Sequence, residues 1–335
     1  MHQKFALIGC GKIAERHAEN IITKGTLQAV CDIIPDRASE LAKKFNATPY
    51  QSLASLLQNE KGLTVACICT PNGLHALHTI KCLQAGLHVL CEKPLCIKSE
   101  DGKAMIEAAR LSGKKLFVVK STRFNPVVAQ LKKIIDEDRL GKIYSFQLSC
   151  FWNRPAAYYQ DSWKGTLKLD GGTLYTQFSH YIDVMYWLFG EVKNVQGIRK
   201  NMAHEGLIEF EDCGVISIEM KNRIVGTLNY SVNTFKKNME LSLTVIAEKG
   251  TVKIGGQYLN ELKYQLIDDY IFDNPGTGNT ANDYTFYKGS MSNHDKVYDN
   301  LLLALNEHEH LSATADEGLK TITIIEKIYE ECKLI

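Results

Sequence analysis

The sequence predicts an α/β chain in two parts. A doubly wound parallel sheet is expected over residues 1–121, followed over residues 122–335 by an α/β part with a large open, mostly antiparallel sheet. Three observations lead there. Short, nearly continuous apolar runs alternate with helical patterns up to about residue 120, the texture of parallel strands buried on both faces. From about Lys142 the runs lengthen and alternate apolar with polar, as in a sheet with one covered face. Finally, 335 residues are more than one core usually fills, since single cores rarely grow past about 250–300 residues.

In chain order, strands are expected at 5–8, 27–31, 65–69, 88–91 and 116–119. Helical patterns separate them at 12–23, 36–45, 53–58, 74–85 and 99–111, and a further helix is expected at 126–136. Alternating stretches at 142–152, 214–220, 224–232, 240–247 and 251–254 read as the antiparallel sheet. The polar, Gly- and Asn-rich stretch 273–292 reads as a loop. Helices at 294–305 and 315–331 follow, the second behind Thr314-Ala315-Asp316-Glu317, which has capping-box spacing.

Bulk properties exclude several classes. A net charge of +1 gives no electrostatic case for nucleic acid or an anionic membrane surface. No apolar run approaches the ~18–20 residues of a membrane span, and a strand starts too early for a secretory leader. Cys31, Cys67, Cys69 and Cys91 lie inside apolar runs and read as small buried hydrophobes, which suits a reducing, cytoplasmic setting. Cys67-Ile68-Cys69 has no second pair to complete a site, so no metal is expected.

Two segments carry chemistry. Gly9-Cys10-Gly11-Lys12-Ile13-Ala14 follows a strand and opens a helix. The first glycine allows a tight turn, the second lets backbone approach a pyrophosphate, and the small third residue lets helix and strand pack closely. The phosphates would sit at the positive end of the helix that starts near Lys12. Asp32 ends the next strand at the spacing of a ribose-binding carboxylate, and no basic residue follows at once, which favours NAD over NADP. Thr70-Pro71-Asn72 ends the third strand, with Asn72 expected to cap the next helix.

The second segment, Glu92-Lys93-Pro94, also lies at a strand's carboxyl end. Lys93 there reads as a cation for the substrate's reacting oxygen, and Glu92 as its partner or as a ligand of the nicotinamide ribose. Farther on, Gly171-Gly172 precedes a helical pattern in which His180 and Asp183 share a face. His180 is the natural proton acceptor for an alcohol near neutral pH, with Asp183 orienting it or capping locally. A lone helical histidine is more often structural.

Together these residues resemble the glucose–fructose oxidoreductase/inositol dehydrogenase (Gfo/Idh/MocA) family, on Gly9-x-Gly11-x-x-Ala14, Thr70-Pro71-Asn72 with His75, Glu92-Lys93-Pro94, and Gly171-Gly172 leading to His180-x-x-Asp183. The resemblance implies a Rossmann domain, an α/β domain whose open sheet face joins dimers or tetramers, and NAD(P)-dependent oxidation of a sugar or cyclitol hydroxyl by Lys93 and His180. It implies cofactor contacts at Gly9, Gly11, Lys12, Ile13, Asp32, Ile33, Thr70, Pro71, Asn72, His75, Glu92, Lys93, Arg123, Trp163 and Lys164. Many members carry Asp four residues before the histidine; this chain has Thr176 there.

The stretches Phe151–Tyr159, Ser162–Thr166, Asp170–Gly172 and Tyr287–Asp295 are similar to the branch that oxidises UDP-N-acetylglucosaminuronic acid at C3. That likeness implies a 3-keto sugar for bacterial surface polysaccharide and, in some members, reoxidation of held NADH by 2-oxoglutarate. It implies substrate contacts at Lys93, Asn153, Arg154, Tyr158, Tyr159, Thr176, Gln177, His180 and His294. Arg154 and Lys164 offer cations for carboxylate or phosphate. A dehydrogenase of a free sugar or inositol and a non-catalytic NAD-binding regulator are the alternatives.

Overall fold

The computed structural model describes residues 2–335 other than 161, 274, 277, 284–287 and 307–312. The chain divides into two compact units, Met1–Lys120 with His294–Ile322, and Ser121–Asn293 with Thr323–Ile335.

The first unit is built on six parallel strands: β1 (Lys4–Ile8), β2 (Thr26–Cys31), β3 (Thr48–Tyr50), β4 (Val65–Ile68), β5 (His88–Cys91) and β6 (Leu116–Val118). Their spatial order is β3-β2-β1-β4-β5-β6. The connections are α1 (Lys12–Lys24), α2 (Pro35–Phe45), α3 (Leu53–Asn59), α4 (His75–Gln84) and α5 (Ser99–Ser112). β4 and β6 are buried throughout, so each strand reads as an apolar run. The order reverses between β1 and β4, and ligands of open α/β sheets bind beyond the carboxyl ends at such a switch.

Two expectations change here. β3 is an additional strand; three residues with Pro49 at their centre carry no strand pattern, and proline is tolerated at a sheet edge. Asn72 does not cap the next helix. It lies in a 3₁₀ turn, Asn72–Leu74, and α4 starts at His75 behind Leu74 with no side-chain cap. The turn's own backbone bond, Leu74 N–H to Pro71 O at 2.9 Å, makes that entry.

The second unit holds α6 (Pro126–Asp136), β7 (Ile143–Phe151), α7 (Ser179–Phe189), β8 (Val192–Lys200), β9 (Cys213–Met220), β10 (Val225–Ser231), β11 (Glu240–Ala247), β12 (Gly250–Gly255) and β13 (Glu261–Ile267). β14 (Ala281–Asp283) and β15 (Lys288–Met291) form a small hairpin inside the stretch expected to be loop. α8 (His294–Leu305) belongs to the first unit, and α9 (Ala315–Glu331) and β16 (Lys333–Leu334) follow it. α9 starts with the expected capping box: Glu317 N–H donates to Thr314 Oγ1 at 3.2 Å, and Thr314 N–H donates to Glu317 Oε2 at 3.2 Å.

The large sheet runs β13-β12-β11-β7-β10-β9-β8-β16. It is mixed: β7 pairs parallel with β10, and β8 with β16, while the other neighbours are antiparallel. One face is packed, with Phe146 stacked on Phe189 at 4.7 Å and Trp152 edge-on to Tyr181 at 5.7 Å. By register, Ile198, Val215, Val225, Ile246, Tyr264 and Leu266 share the opposite face, where each is about half exposed or more.

Candidate active site

In the first unit, Gly9 lies just past β1 with φ +95°, and a Cβ there would stand 2.7 Å from the Cys69 carbonyl carbon. Only glycine fits where the turn crosses the end of β4. A Cβ on Gly11 would meet nothing within 4 Å, and α1 starts behind Gly11 with no side-chain cap. The first-turn N–H groups therefore suit a phosphate. Asp32 accepts from Cys10 N–H and Ile34 N–H, each at 2.8 Å, so its carboxylate is fixed at the end of β2 next to that turn. Ile33 beside it is 85 % exposed. These residues fit a bound NAD.

His75 is buried, with Nδ1 2.7 Å from Pro94 O and Nε2 2.9 Å from Thr70 O. Its ring ties the turn after β4 to the turn after β5. Burial pushes its pKa down against the pull of the two carbonyls, and the neutral ring donates its one N–H to one of them.

Glu92 ends β5 in a buried cluster that sequence reasoning missed. Its Oε1 accepts from His17 Nε2 at 2.9 Å and from His294 Nε2 at 3.2 Å; its Oε2 accepts from Lys93 N–H at 3.0 Å. His17 Nδ1 faces Tyr298 OH at 2.8 Å, and that hydroxyl lies 3.2 Å from Cys67 Sγ. Burial would raise the Glu92 pKa, but the two imidazole bonds outweigh it and hold the carboxyl well below its ordinary range. Burial likewise pushes His17 down, so it is a neutral donor. The ligand atoms of His17, Glu92 and His294 lie within 4.8 Å of one another; in this arrangement both imidazole Nε2 atoms bond Glu92 Oε1, and His294 Nδ1 is buried without a hydrogen-bond partner among the described residues. His17 was detectable: with Ala14, Ala18 and Ile21 it lies on the buried stripe of α1, a polar residue among apolar ones.

In the second unit, Gly171 and Gly172 adopt φ +90° and +139°, and a Cβ on Gly172 would collide with the Tyr329 hydroxyl. A π-helical turn, Leu174–Phe178, precedes α7 where a plain helical pattern was expected; such turns concentrate at functional sites. It delivers His180 to the first turn of α7, buried, with Nε2 3.5 Å from Ser290 Oγ. Asp183, one turn on, accepts both prongs of the Arg123 guanidinium at 2.8 and 2.9 Å, and both side chains are nearly fully buried. Arg123 thus anchors α7 and also lies 5.0 Å from the Trp187 ring.

The residues after β7 gather around Arg154, which is 2 % exposed. Its Nε donates to Gln177 Oε1 at 2.6 Å and its Nη1 to Asn153 O at 2.6 Å and Asn238 Oδ1 at 3.2 Å. The guanidinium lies over Trp152 at 4.7 Å and Tyr158 at 5.3 Å. Gln177 Nε2 donates to Tyr158 OH at 2.8 Å, and burial pushes that phenol up to about 12. Lys164 Nζ stands 3.7 Å from the Tyr158 ring centre and 6.0 Å from that of Trp163. Tyr159 is different: it packs with Ile208 and Phe210 in a small core and meets His204 edge-on at 5.2 Å. His204 is pushed up by its bond to Asp212 and also faces Arg154 O at 2.9 Å, so it braces the Arg154 backbone.

Asp170 has a clear structural place. It is 1 % exposed, takes Gly165 N–H at 2.8 Å on one oxygen and the Thr176 hydroxyl on the other. Tyr287, in the stretch similar to the sugar-nucleotide branch, lies outside the described residues.

A six-stranded sheet with this glycine turn, uncapped helix and fixed carboxylate at the end of β2, followed by a second α/β unit, is the architecture of an NAD-dependent oxidoreductase. Residues 3–120 match the oxidoreductase family with an NAD-binding Rossmann fold, and residues 132–333 match its C-terminal α/β domain; the chain belongs to the Gfo/Idh/MocA family. It is 33 % identical to the WlbA dehydrogenase of Chromobacterium violaceum, solved with NADH and UDP-GlcNAcA, over 98 % of this chain and 93 % of that one, with a TM-score of 0.90. The WlbA dehydrogenase of Bordetella pertussis, solved with the same two ligands, is 31 % identical over 99 % and 96 %, with a TM-score of 0.89. Among curated proteins, glucose-6-phosphate 3-dehydrogenase of Bacillus subtilis is 25 % identical over 98 % of this chain and 96 % of its own length.

Proposed function

We propose that the protein oxidises the C3 hydroxyl of UDP-N-acetylglucosaminuronic acid to a 3-keto sugar with NAD. The observation that carries it is the likeness, over nearly the full chain, to two dehydrogenases solved with NADH and that sugar nucleotide. The buried Arg154 on its aromatic and amide supports adds a preformed cation for a carboxylate or phosphate, which a neutral sugar does not need.

The glycine turn, the α1 N-terminus and Asp32 hold the cofactor; the nicotinamide, when bound, supplies the two-electron acceptor. Lys93 stabilises the oxygen as negative charge develops on it, and His180 takes the hydroxyl proton, directly or through water. Lys164 with Tyr158 and Trp163, and Asn153 and Gln177 around Arg154, make the polar and aromatic surface for the sugar nucleotide. The protein works in the cytoplasm as a dimer or tetramer, joined through the half-exposed apolar face of the large sheet. Its product supplies the making of surface polysaccharide, and 2-oxoglutarate reoxidises the held NADH.

The rival substrate is a free or phosphorylated monosaccharide, favoured by the likeness to the glucose-6-phosphate enzyme. Turnover of UDP-N-acetylglucosaminuronic acid with NAD, with and without 2-oxoglutarate, decides. Ketosugar in both cases supports the sugar-nucleotide substrate, and ketosugar only with 2-oxoglutarate adds recycling in place. Turnover of glucose 6-phosphate alone would replace it.

A further inference from the structure

From Gly172 to Met185 every residue is buried except Thr176, which is partly exposed. Thr176 is in the π-helical turn one turn ahead of His180. Its hydroxyl donates backward, to the buried carboxylate of Asp170. The second Asp170 oxygen is held by Gly165 N–H at 2.8 Å, so the carboxylate is fixed from behind. Two donors call for two acceptor oxygens, which accounts for a carboxylate rather than an amide at 170. It does not account for the partner being the one accessible residue of the turn.

A hydroxyl whose proton is committed to a carboxylate meets an incoming group as an acceptor. The charge behind it strengthens that acceptor, because hydrogen bonds in series polarise one another and those to ionised groups are the stronger kind. Such an oxygen suits a hydroxyl or amide N–H of a ligand and disfavours a carboxylate or phosphate. The neighbouring residue, Gln177, carries Arg154, whose charge has the opposite preference. The turn thus offers a donor for anionic groups and, next to it, an acceptor for neutral ones.

We propose that Asp170 and Thr176 form a relayed acceptor that binds a hydroxyl of the sugar, with Thr176 the contacting group and Asp170 a positioning residue acting through it. The proposal rests on the sugar-oxidising function above. It binds ground state and transition state alike, so its loss raises KM for the sugar at nearly constant kcat.

The test measures KM and kcat for the sugar at saturating NAD, KM for NAD, and the melting temperature. Thr176→Ser, which keeps the hydroxyl, is expected to hold KM within about threefold, and Thr176→Val to raise it by about tenfold or more, the scale of one hydrogen bond to a charged system. Asp170→Asn is expected to follow Thr176→Val. Asp170→Asn with Thr176→Asp, which moves the carboxylate forward, is expected to recover most of the loss. A staple with no contact to substrate would lower the melting temperature in all but the serine variant and leave KM of the folded enzyme unchanged, and that result overturns the proposal. Should Asp170→Asn fail to fold, the serine and valine variants decide alone. If the wild type acts on glucose 6-phosphate or inositol and not on the sugar nucleotide, the substrate assignment falls and the same KM comparison is made on that sugar. A wild type that oxidises none of them overturns both.

Discussion

His17 Nε2 lies 2.9 Å from Glu92 Oε1, joining the helix that starts at the glycine turn to the strand end that carries Lys93. Both side chains are buried, and one is a carboxylate whose remaining oxygen takes the Lys93 N–H. Removing a donor from a buried carboxylate costs more than the bond is worth, because the charge loses part of the hydrogen bonding that replaces water. His17→Ala is therefore expected to destabilise the protein by about 1–3 kcal/mol, with His17→Gln recovering part of it. Urea unfolding checks both; a His17→Ala midpoint equal to wild type would mean that the carboxylate does not depend on this imidazole.

Acid should weaken the fold in a way that specific residues control. Burial lowers the pKa of His17 and His75, so below the ordinary value of about 6.5 the unfolded chain binds protons that the folded one refuses. Each histidine then removes up to about 1.4 kcal/mol per pH unit as the pH falls. Glu211 has the opposite sign. Burial pushes it up to about 7 against the pull of Tyr329 and Arg199, so between about 4.5 and 7 the folded state holds the extra proton and gains as the pH falls. Urea midpoints from pH 7.5 to 5.5 should fall in the wild type, more steeply in Glu211→Gln and less steeply in His17→Gln. Parallel curves for all three would remove these residues from the acid response.

These clusters separate what the sequence makes legible from what it does not. The glycine turn, Lys93 at a strand end, and the helices at 126–136, 294–305 and 315–331 depend on neighbours in the chain, and all appear where expected. The Glu92 cluster joins residues 75 and 202 positions apart, a pairing that periodicity does not encode. β8 and β13 escaped for a similar reason: Val192–Lys200 shows too few apolar positions to stand out, and Glu261–Ile267 is an edge strand rich in charge. The parallel pairing of β7 with β10 follows from their order in the sheet, which alternation alone leaves open. The Asp170 bonds to Gly165 N–H and the Thr176 hydroxyl lie within six residues in a turn rather than on a common helix face, so periodicity does not show them.

Lys93 should separate chemistry from binding. The substitution Lys93→Met keeps the length of the side chain and removes its charge. Turnover is expected to fall by at least ~10²-fold, the usual scale for a group that stabilises a developing oxyanion, with NAD affinity retained. Steady-state kinetics with fluorescence titration of NADH would measure both, and normal turnover in the variant would take Lys93 out of the reaction. His180→Asn should lose rate chiefly at neutral pH and recover part of it in alkali, where solvent base replaces the imidazole.

Asp32 should decide between the two nicotinamide cofactors. Its carboxylate is fixed at the end of β2 by Cys10 N–H and Ile34 N–H, each at 2.8 Å, so it cannot swing away from a ribose bound at the glycine turn without giving up two bonds. A fixed negative charge accepts from ribose hydroxyls and repels a 2′-phosphate. Asp32→Asn keeps an acceptor for one backbone N–H and removes the charge, so KM for NAD should rise while the barrier to NADP falls. The ratio of kcat/KM for NAD to that for NADP is expected to drop by about tenfold or more, equivalent to roughly 1.4 kcal/mol of discrimination. The two ratios are measured on wild type and variant at one ionic strength, since salt screens the repulsion being tested. An unchanged ratio in a variant that melts like wild type would show that charge at Asp32 does not select the cofactor, and would move that role to the backbone of the turn itself.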